Sequence, residues 1–397
     1  MSEQVRPVYI VDAVRTPIGR ITGGLAHIRP DDLAAVTIAG VVSRQSSIDP
    51  AAINDVVFGN GNGAGEENRN VGRMAVLLAG LPPTVPGVTT NRLCGSGLEA
   101  VAQASRMIAL GDADVVLAGG VESMSRAPWV VQKPESGYQR TDQTMFSTTL
   151  GWRMVNPRHK KDWTVSLGLG AEVMADEFKV SRAEQDAYAM ASHQKATAAW
   201  ASHGFKTEII AVPDSNLAHD ECVRSDTNMN SLQRLKPVFK TDGTVTAGNS
   251  SPMNDGAACV MLASEDAVAK YSLRPMARVV SRGASAVEPH RFGIGPVEAA
   301  NKAIQRAKIS WSDLVAVELN EAFASQALAC LKSWPELRRN VVNRSGGAIA
   351  LGHPIGASGA RITTTLVHEL KRQGGGYGLA TMCIGVGQGI ALVVESV

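Results

Sequence analysis

The chain has 397 residues, of which 44% are hydrophobic and 19% charged, and its formal net charge is +2. A chain of this length predicts more than one domain with a sizeable core. The nearly balanced charge gives no sign of a nucleic-acid-binding arm, and no apolar run is long enough for a membrane span. Five cysteines without a close pair argue against a disulfide framework or a zinc site. No signal peptide is visible, so the expected location is the cytoplasm.

Short apolar runs alternate with helical patterns, which indicates an α/β fold whose sheets are covered by helices. A helix is predicted over residues 97–110, and another begins at Ser181, where Ser181 and Glu184 form a capping-box pattern. The predicted buried strands, in chain order, cover residues 8–11, 55–58, 114–118, 379–383 and 390–394.

The order of these elements repeats faintly along the chain. Cys94 and the small residues after it precede a helix and then a strand, and His353 likewise precedes a helix and the strand that ends at Cys383. Two similar halves would place Cys94 and His353 at equivalent loop positions that face one cleft. The stretch between the halves, residues 123–249, is rich in turns and is predicted to be an insertion beside the main sheets.

Cys94 lies directly ahead of the predicted helix 97–110. A cysteine at a helix N-terminus meets the helix dipole and free N–H groups, so we expect a lowered pKa and a reactive thiolate. A buried structural cysteine is the alternative interpretation. Two further residues favour catalysis, because His353 could take the thiol proton while Cys94 carries an acyl group. Cys383, with a modestly lowered pKa, could move a proton to or from carbon.

Such chemistry passes through oxyanions, which need preorganised donors. The backbone N–H groups of Cys94 and of the glycines after Cys383 are candidates. Asn320 is a polar candidate too, although it could instead cap a helix predicted over residues 321–331.

These residues lie in segments that resemble the motifs of the thiolase family, and the resemblance runs over nearly the whole chain. The matching segments, in chain order, are 91–97 (NRLCGSG), 119–125 (GGVESMS), 320–324 (NEAFA), 346–354 (GGAIALGHP) and 383–389 (CIGVGQG). All the catalytic elements of the family are present in the expected order.

The resemblance implies a five-layered αβαβα fold of two similar halves with an inserted loop domain. The N-terminal half would comprise residues 1–122 and 250–273, the loop domain that covers coenzyme A residues 123–249, and the C-terminal half residues 274–397. It also implies a homodimer or homotetramer. Acetyl-CoA, acyl-CoA and coenzyme A would be substrates, and no metal or permanently bound cofactor is expected.

The resemblance also implies roles for single residues. Cys94 would accept the acyl group and His353 would activate it. His353 and a water held by Asn320 would bind the thioester oxygen of acetyl-CoA, and Cys383 would be the acid and base at the α-carbon. The N–H groups of Cys94 and Gly385 would form the second oxyanion hole. The residues implied to contact coenzyme A are Arg224, Ser251 and Phe323.

The predicted reaction is reversible acyl transfer between acetyl-CoA and acyl-CoA, with thiolysis of 3-oxoacyl-CoA as in fatty acid β-oxidation. Residues 148–153 resemble instead the branch that acts on 3-oxoadipyl-CoA in aromatic degradation, which is the first alternative. A non-catalytic acyl-CoA or lipid-binding protein is the second. A decarboxylating ketosynthase is disfavoured, because that class has a histidine where this chain has Cys383. The basic run 158–161 could bind coenzyme A phosphates, bind an acidic acyl tail or lie in solvent.

Overall fold

A computed structural model describes residues 5–138 and 140–397. The strands are β1 (Val8–Arg15), β2 (Gly19–Arg20), β3 (Asp55–Gly59), β4 (Val88–Thr90), β5 (Val115–Ser123), β6 (Trp129–Val131), β7 (Met145–Ser147), β8 (Asn254–Ser264), β9 (Ala277–Ala286), β10 (Leu314–Leu319), β11 (Tyr377–Ile384) and β12 (Gln388–Ser396). The helices are α1 (Pro30–Arg44), α2 (Val71–Leu78), α3 (Ser96–Leu110), α4 (Leu167–Glu177), α5 (Arg182–Ala201), α6 (Met229–Gln233), α7 (Glu265–Lys270), α8 (Gly295–Ala307), α9 (Ala324–Ser333), α10 (Ala348–Leu351) and α11 (Ser358–Arg372).

The strands of the two halves join in one long sheet with the order β10-β11-β12-β9-β1-β8-β5-β3-β4, and β2 pairs with β8. In the first half β3 and β5 are parallel, and β8 and β1 continue antiparallel. In the second half β10 and β11 are parallel, and β12 and β9 continue antiparallel. The halves meet where β1 pairs with β9. The predicted internal repeat is therefore visible in the strand topology.

Within the described residues, the three largest apolar cores lie between the helical layers and the half-sheets. The central core lies between α3 and α11 and one face of both half-sheets. A second core packs α1 and α2 on the outer face of the first half, and a third packs α8 and α9 on the outer face of the second. The first residues of β5 are all apolar, because Val116 faces the central core while Val115 and Leu117 face the outer one.

Close packing of α3 against α11 brings the two loops that precede these helices together. A Cβ atom on Gly359 would lie 2.1 Å from the backbone nitrogen of Leu98, and one on Gly97 would lie 2.7 Å from the backbone nitrogen of Ala360. Only glycine permits so close a helix contact. Because the loops meet here, the residues just ahead of each helix face a common space.

The inserted segment contains the hairpin of β6 and β7 and the helices α4, α5 and α6. Helix α5 begins with the predicted capping box, since Ser181 accepts from the backbone of Glu184 and the Glu184 carboxylate accepts from Ser181. Buried Arg15 of β1 fastens the segment to the sheet through Glu208 at 2.6 Å and Asp220 at 2.7 Å.

The predicted strands and the helix over 97–110 are confirmed, but the helix predicted over 321–331 is misplaced. Helix α9 starts at Ala324, with Phe323 at its N-cap position. Asn320 and Glu321 instead form the exit from β10, where the buried Glu321 carboxylate accepts from Ser192 Oγ and Asn343 Nδ2. Within the described residues, none of the helices has both the length and the apolar character needed to cross a membrane.

Candidate active site

Cys94 lies in the turn between β4 and α3, where Leu93 adopts φ of +48°. Its side chain is 7% exposed, and burial raises the pKa of the thiol to about 11. The backbone N–H groups of Gly385 and of Cys94 itself point at the sulfur and favour the thiolate, but burial outweighs them. The predicted lowering of the Cys94 pKa is therefore wrong, and the thiol is neutral at neutral pH.

His353 lies in the loop ahead of α11 and is held through its backbone N–H and its ring. Its backbone N–H donates to Asn254 Oδ1 at 2.9 Å, and its Nδ1 lies 2.6 Å from Ser358 Oγ. The Ser358 hydroxyl donates to the carbonyl of Pro354 at 2.9 Å, so Ser358 accepts the Nδ1 proton of the imidazole. Nε2 is then unprotonated and accepts from Asn320 Nδ2 at 3.4 Å. Burial, followed by the charge of Arg361, lowers the pKa of His353 to about 3, which keeps the ring neutral.

Asn320 follows β10, and its backbone N–H donates to the carbonyl of Thr381 at 3.0 Å. Its side-chain Nδ2 lies 3.4 Å from His353 Nε2. Its Oδ1 is buried without a hydrogen-bond partner in the described part of the chain. The alternative of a helix cap is wrong, because Asn320 lies outside the N-terminal turn of α9. A buried amide with an unused acceptor beside an imidazole suits a polar ligand such as water.

Cys383 lies near the end of β11 and is 1% exposed. Burial and then the neighbouring Cys94 raise its pKa well above the usual range, against the modest lowering expected from the sequence. Gly385 follows in the β11–β12 turn, where Val386 adopts φ of +65° and Gly387 φ of +74°. This turn directs the Gly385 N–H group toward Cys94.

A channel of about 850 Å³ joins most of the predicted residues. Cys94 and Ile355 line it, and on its wall Phe323 packs edge-on against Phe239 and Phe292. Asn320 does not line the channel but reaches it through His353. The predicted site residues on its wall are Cys94, Ser251, Phe323, His353, Cys383 and Gly385.

Arg224 lies outside this channel, in a wider cavity of about 1120 Å³. The two cavities share Pro252, so the wider one continues the channel toward the surface. Arg224 is solvent-exposed, and its backbone N–H donates to His193 Nδ1 at 3.2 Å. The structure therefore places Ser251 and Phe323 near the cysteines and Arg224 at the outer end.

A third cavity, of about 790 Å³, opens on the other side of Cys94. The two cavities share Cys94, Leu150, Gly151, Leu167, Ile355 and Gly385, so the thiol lies where they meet. The rest of the loop at 148–153, with Asn62 and Val386, lines only the third cavity.

Glu122 is a site residue that the sequence analysis did not single out, although it belongs to the segment 119–125. Its carboxyl accepts from the backbone N–H groups of Gly61 and Gly356, both at 2.8 Å, and of Asn62 at 3.2 Å. It thus ties a loop beside Cys94 to the loop of His353. Burial raises the pKa of Glu122 to about 7. The sequence analysis also missed Ser358 and Asn254, because their contacts with His353 exist only in the folded chain.

The basic run 158–161 is exposed and lines none of these three cavities. Within the structurally described residues, no group of three or more histidine, cysteine, aspartate or glutamate side chains is placed to hold a metal ion.

The chain matches two family models, "Thiolase, N-terminal domain" over residues 8–266 and "Thiolase, C-terminal domain" over residues 273–396. A "Beta-ketoadipyl-CoA thiolase" from Pseudomonas aeruginosa is 50% identical over 400 residues, covering 99% of this chain and all of the relative. A "3-oxoadipyl-CoA/3-oxo-5,6-dehydrosuberyl-CoA thiolase" from Escherichia coli is 47% identical with the same coverage.

Among solved structures, the human mitochondrial 3-ketoacyl-CoA thiolase in complex with CoA superposes with a TM-score of 0.93, at 40% identity and over 99% of both chains. The five-layered α/β fold and the predicted reaction class are both confirmed. The chain belongs to the thiolase family and is an acyltransferase that acts on coenzyme A thioesters.

Proposed function

We propose that this thiolase cleaves 3-oxoadipyl-CoA with coenzyme A through an acyl intermediate on Cys94. The observation that carries this proposal is that the channel and the third cavity meet at the Cys94 thiol, with His353 and Cys383 on the wall of the channel. The channel suits the pantetheine arm and the third cavity suits the acyl chain. The names of relatives that are 47–50% identical favour a dicarboxylic acyl chain over a fatty acyl chain.

In the first half-reaction the Cys94 sulfur attacks the 3-oxo carbonyl. His353 Nε2 takes the thiol proton, because Ser358 occupies Nδ1. A thiol with a pKa of about 11 and a neutral imidazole make a resting ion pair unfavourable, so proton transfer accompanies the attack. The N–H groups of Cys94 and Gly385 already point at this sulfur and stabilise the oxyanion that forms beside it.

Breakage of the C2–C3 bond then releases acetyl-CoA as its enolate. Asn320 and His353 stabilise the enolate oxygen, and a water on Asn320 Oδ1 would use the acceptor that the protein leaves free. Cys383 gives its proton to the α-carbon. A thiol kept neutral by burial suits this step, since the acid must hold its proton until carbon takes it.

Coenzyme A enters along the channel. Phe323 lines the pantetheine arm, Ser251 contacts it, and the exposed Arg224 meets the nucleotide phosphates at the outer end. Residues 123–249 act as the loop domain over coenzyme A, between the halves 1–122 with 250–273 and 274–397.

We propose further that the enzyme is a cytoplasmic homodimer or homotetramer. Its five free cysteines suit a reducing compartment. The reaction moves acyl groups and protons but no electrons, so we expect no metal or redox cofactor and full activity after dialysis against EDTA. Light scattering on the purified protein decides between the two oligomers.

The deciding experiment combines intact-mass spectrometry with a thiolysis assay. Wild-type protein mixed with acetyl-CoA should gain one acetyl group on Cys94, and Cys94→Ala should gain none. Cys383→Ala should still acquire the group but lose at least 100-fold in thiolysis rate. Cys259→Ala serves as the matched cysteine control, because Cys259 is a buried cysteine of β8 that lines none of the three cavities. Unchanged thiolysis in Cys94→Ala would refute the mechanism.

A further inference from the structure

We infer that Arg153 binds the terminal carboxylate of the acyl chain and so selects dicarboxylic substrates, an inference that rests on the proposed thiolase reaction. Cleavage of 3-oxoadipyl-CoA between C2 and C3 leaves a four-carbon acyl group on Cys94. The electron pair of the broken bond leaves with acetyl-CoA, which takes a proton from Cys383. The far end of the remaining acyl group is a carboxylate, and it must find a partner inside the protein.

Cys94 and Arg153 both line the cavity of about 790 Å³. The lining is mostly apolar and includes Leu150, Leu167 and Ile355. Such a surface suits methylene groups but leaves a terminal carboxylate without compensation for its lost hydration. A guanidinium at the boundary of an otherwise apolar acyl pocket supplies that compensation.

Arg153 is held in place but is not neutralised. Its Nη2 donates to Asn62 Oδ1 at 3.2 Å. Asn62 Nδ2 in turn donates to the buried Thr148 Oγ1 at 3.0 Å, and Thr148 donates to the Pro128 carbonyl at 2.7 Å. This chain of hydrogen bonds orients the guanidinium without providing a counter-charge.

The half-buried guanidinium therefore keeps donors free. Across residues 5–138 and 140–397, no carboxylate lies within salt-bridge distance of Arg153, whereas nearby Arg126 pairs closely with Glu66. One of its five N–H donors is used by Asn62, which leaves enough for a two-pronged bond to a carboxylate. Glu122 lines the same cavity, but its carboxyl is occupied by the backbone N–H groups of two loops.

The test compares 3-oxoadipyl-CoA with 3-oxohexanoyl-CoA, which has the same six-carbon chain but ends in a methyl group. We expect wild type to favour the dicarboxylic substrate at least tenfold in kcat/KM. Arg153→Met should lower that ratio at least tenfold, and Arg153→Lys should restore part of it. Arg158→Met is the control, because Arg158 is an exposed arginine of the same loop that lines none of the three cavities.

Two results would overturn the inference and leave the thiolase reaction intact. One is an equal loss of kcat/KM on both substrates in Arg153→Met. The other is a fall of the kcat/KM ratio in Arg158→Met instead of Arg153→Met. A wild-type protein that cleaves neither substrate and forms no acyl-Cys94 would overturn the proposed function itself. Melting temperatures of the variants confirm that each is folded. Intact-mass measurement adds a second readout, since Arg153→Met should slow acylation by succinyl-CoA more than by butyryl-CoA.

Discussion

At the residue scale, Cys94 shows how burial and helix position compete. The start of α3 and two N–H groups favour the thiolate, yet removal from water raises the pKa to about 11. Burial raises the pKa of Cys383 as well. Burial favours the neutral form of both thiols, so we expect the Cys94 thiol to lose its proton as its sulfur attacks the substrate. A buried thiol is thereby protected from alkylation and oxidation between turnovers.

The raised pKa of Cys94 predicts how the rate of its alkylation depends on pH. A raised pKa keeps the thiolate fraction small at neutral pH, so the rate with iodoacetamide should climb about tenfold for each pH unit and level off only near pH 11. His353 should add no step between pH 5 and 8, because its pKa lies near 3. Peptide mass spectrometry follows the adduct, and a rate that levels off at pH 8 would contradict the expectation.

At the scale of elements, the contact between α3 and α11 decides the geometry of the site. Each helix follows a loop that carries a reactive residue, Cys94 in one case and His353 in the other. The small separation at Gly97 and Gly359 holds these loops together. Glu122 of β5 adds a second constraint, because its carboxyl accepts from Gly61 in a loop beside Cys94 and from Gly356 in the loop of His353.

We expect Gly359→Ala to destabilise the fold and to reduce activity. The new Cβ would lie 2.1 Å from the backbone nitrogen of Leu98, and backbone atoms cannot move aside cheaply. Overpacking costs about 1–3 kcal/mol, which exceeds the gain in helix propensity of at most about 1 kcal/mol. Urea unfolding and thiolysis measure the two effects. Gly137→Ala, whose Cβ would meet nothing within 4 Å, should match wild type.

At the scale of the whole molecule, the inserted segment is bound to the central sheet by buried charge. The Arg15 guanidinium is fully buried between Glu208 and Asp220, and its Nη1 and Nη2 bind both oxygens of Asp220 at 2.7 and 3.0 Å. Since this segment provides walls for all three cavities, its attachment affects the whole site. An ion pair of this kind contributes more to the position of the segment than to net stability.

Removal of the Arg15 charge should therefore lower the free energy of unfolding strongly. Arg15→Met leaves two buried carboxylates without their positively charged partner, and we expect a loss of about 3–5 kcal/mol in the free energy of unfolding. Arg20→Met removes the exposed pair with Glu221 and should cost about 1 kcal/mol or less. Urea denaturation compares the variants, and limited proteolysis should show earlier cleavage within residues 123–249 in Arg15→Met. Equal midpoints for the two variants would contradict this account.

The sequence by itself determined the α/β class, the repeat, the capping box at Ser181 and the motifs around Cys94, His353 and Cys383, because these patterns depend on neighbours a few residues apart. Tertiary structure alone decided the protonation of the two cysteines, since desolvation is produced by residues far away in the chain. It also decided that Asn320 ends a strand and that Arg153 faces the same cavity as Cys94. Residues 59 positions apart share that cavity only because the folded sheet and its inserted segment close around it.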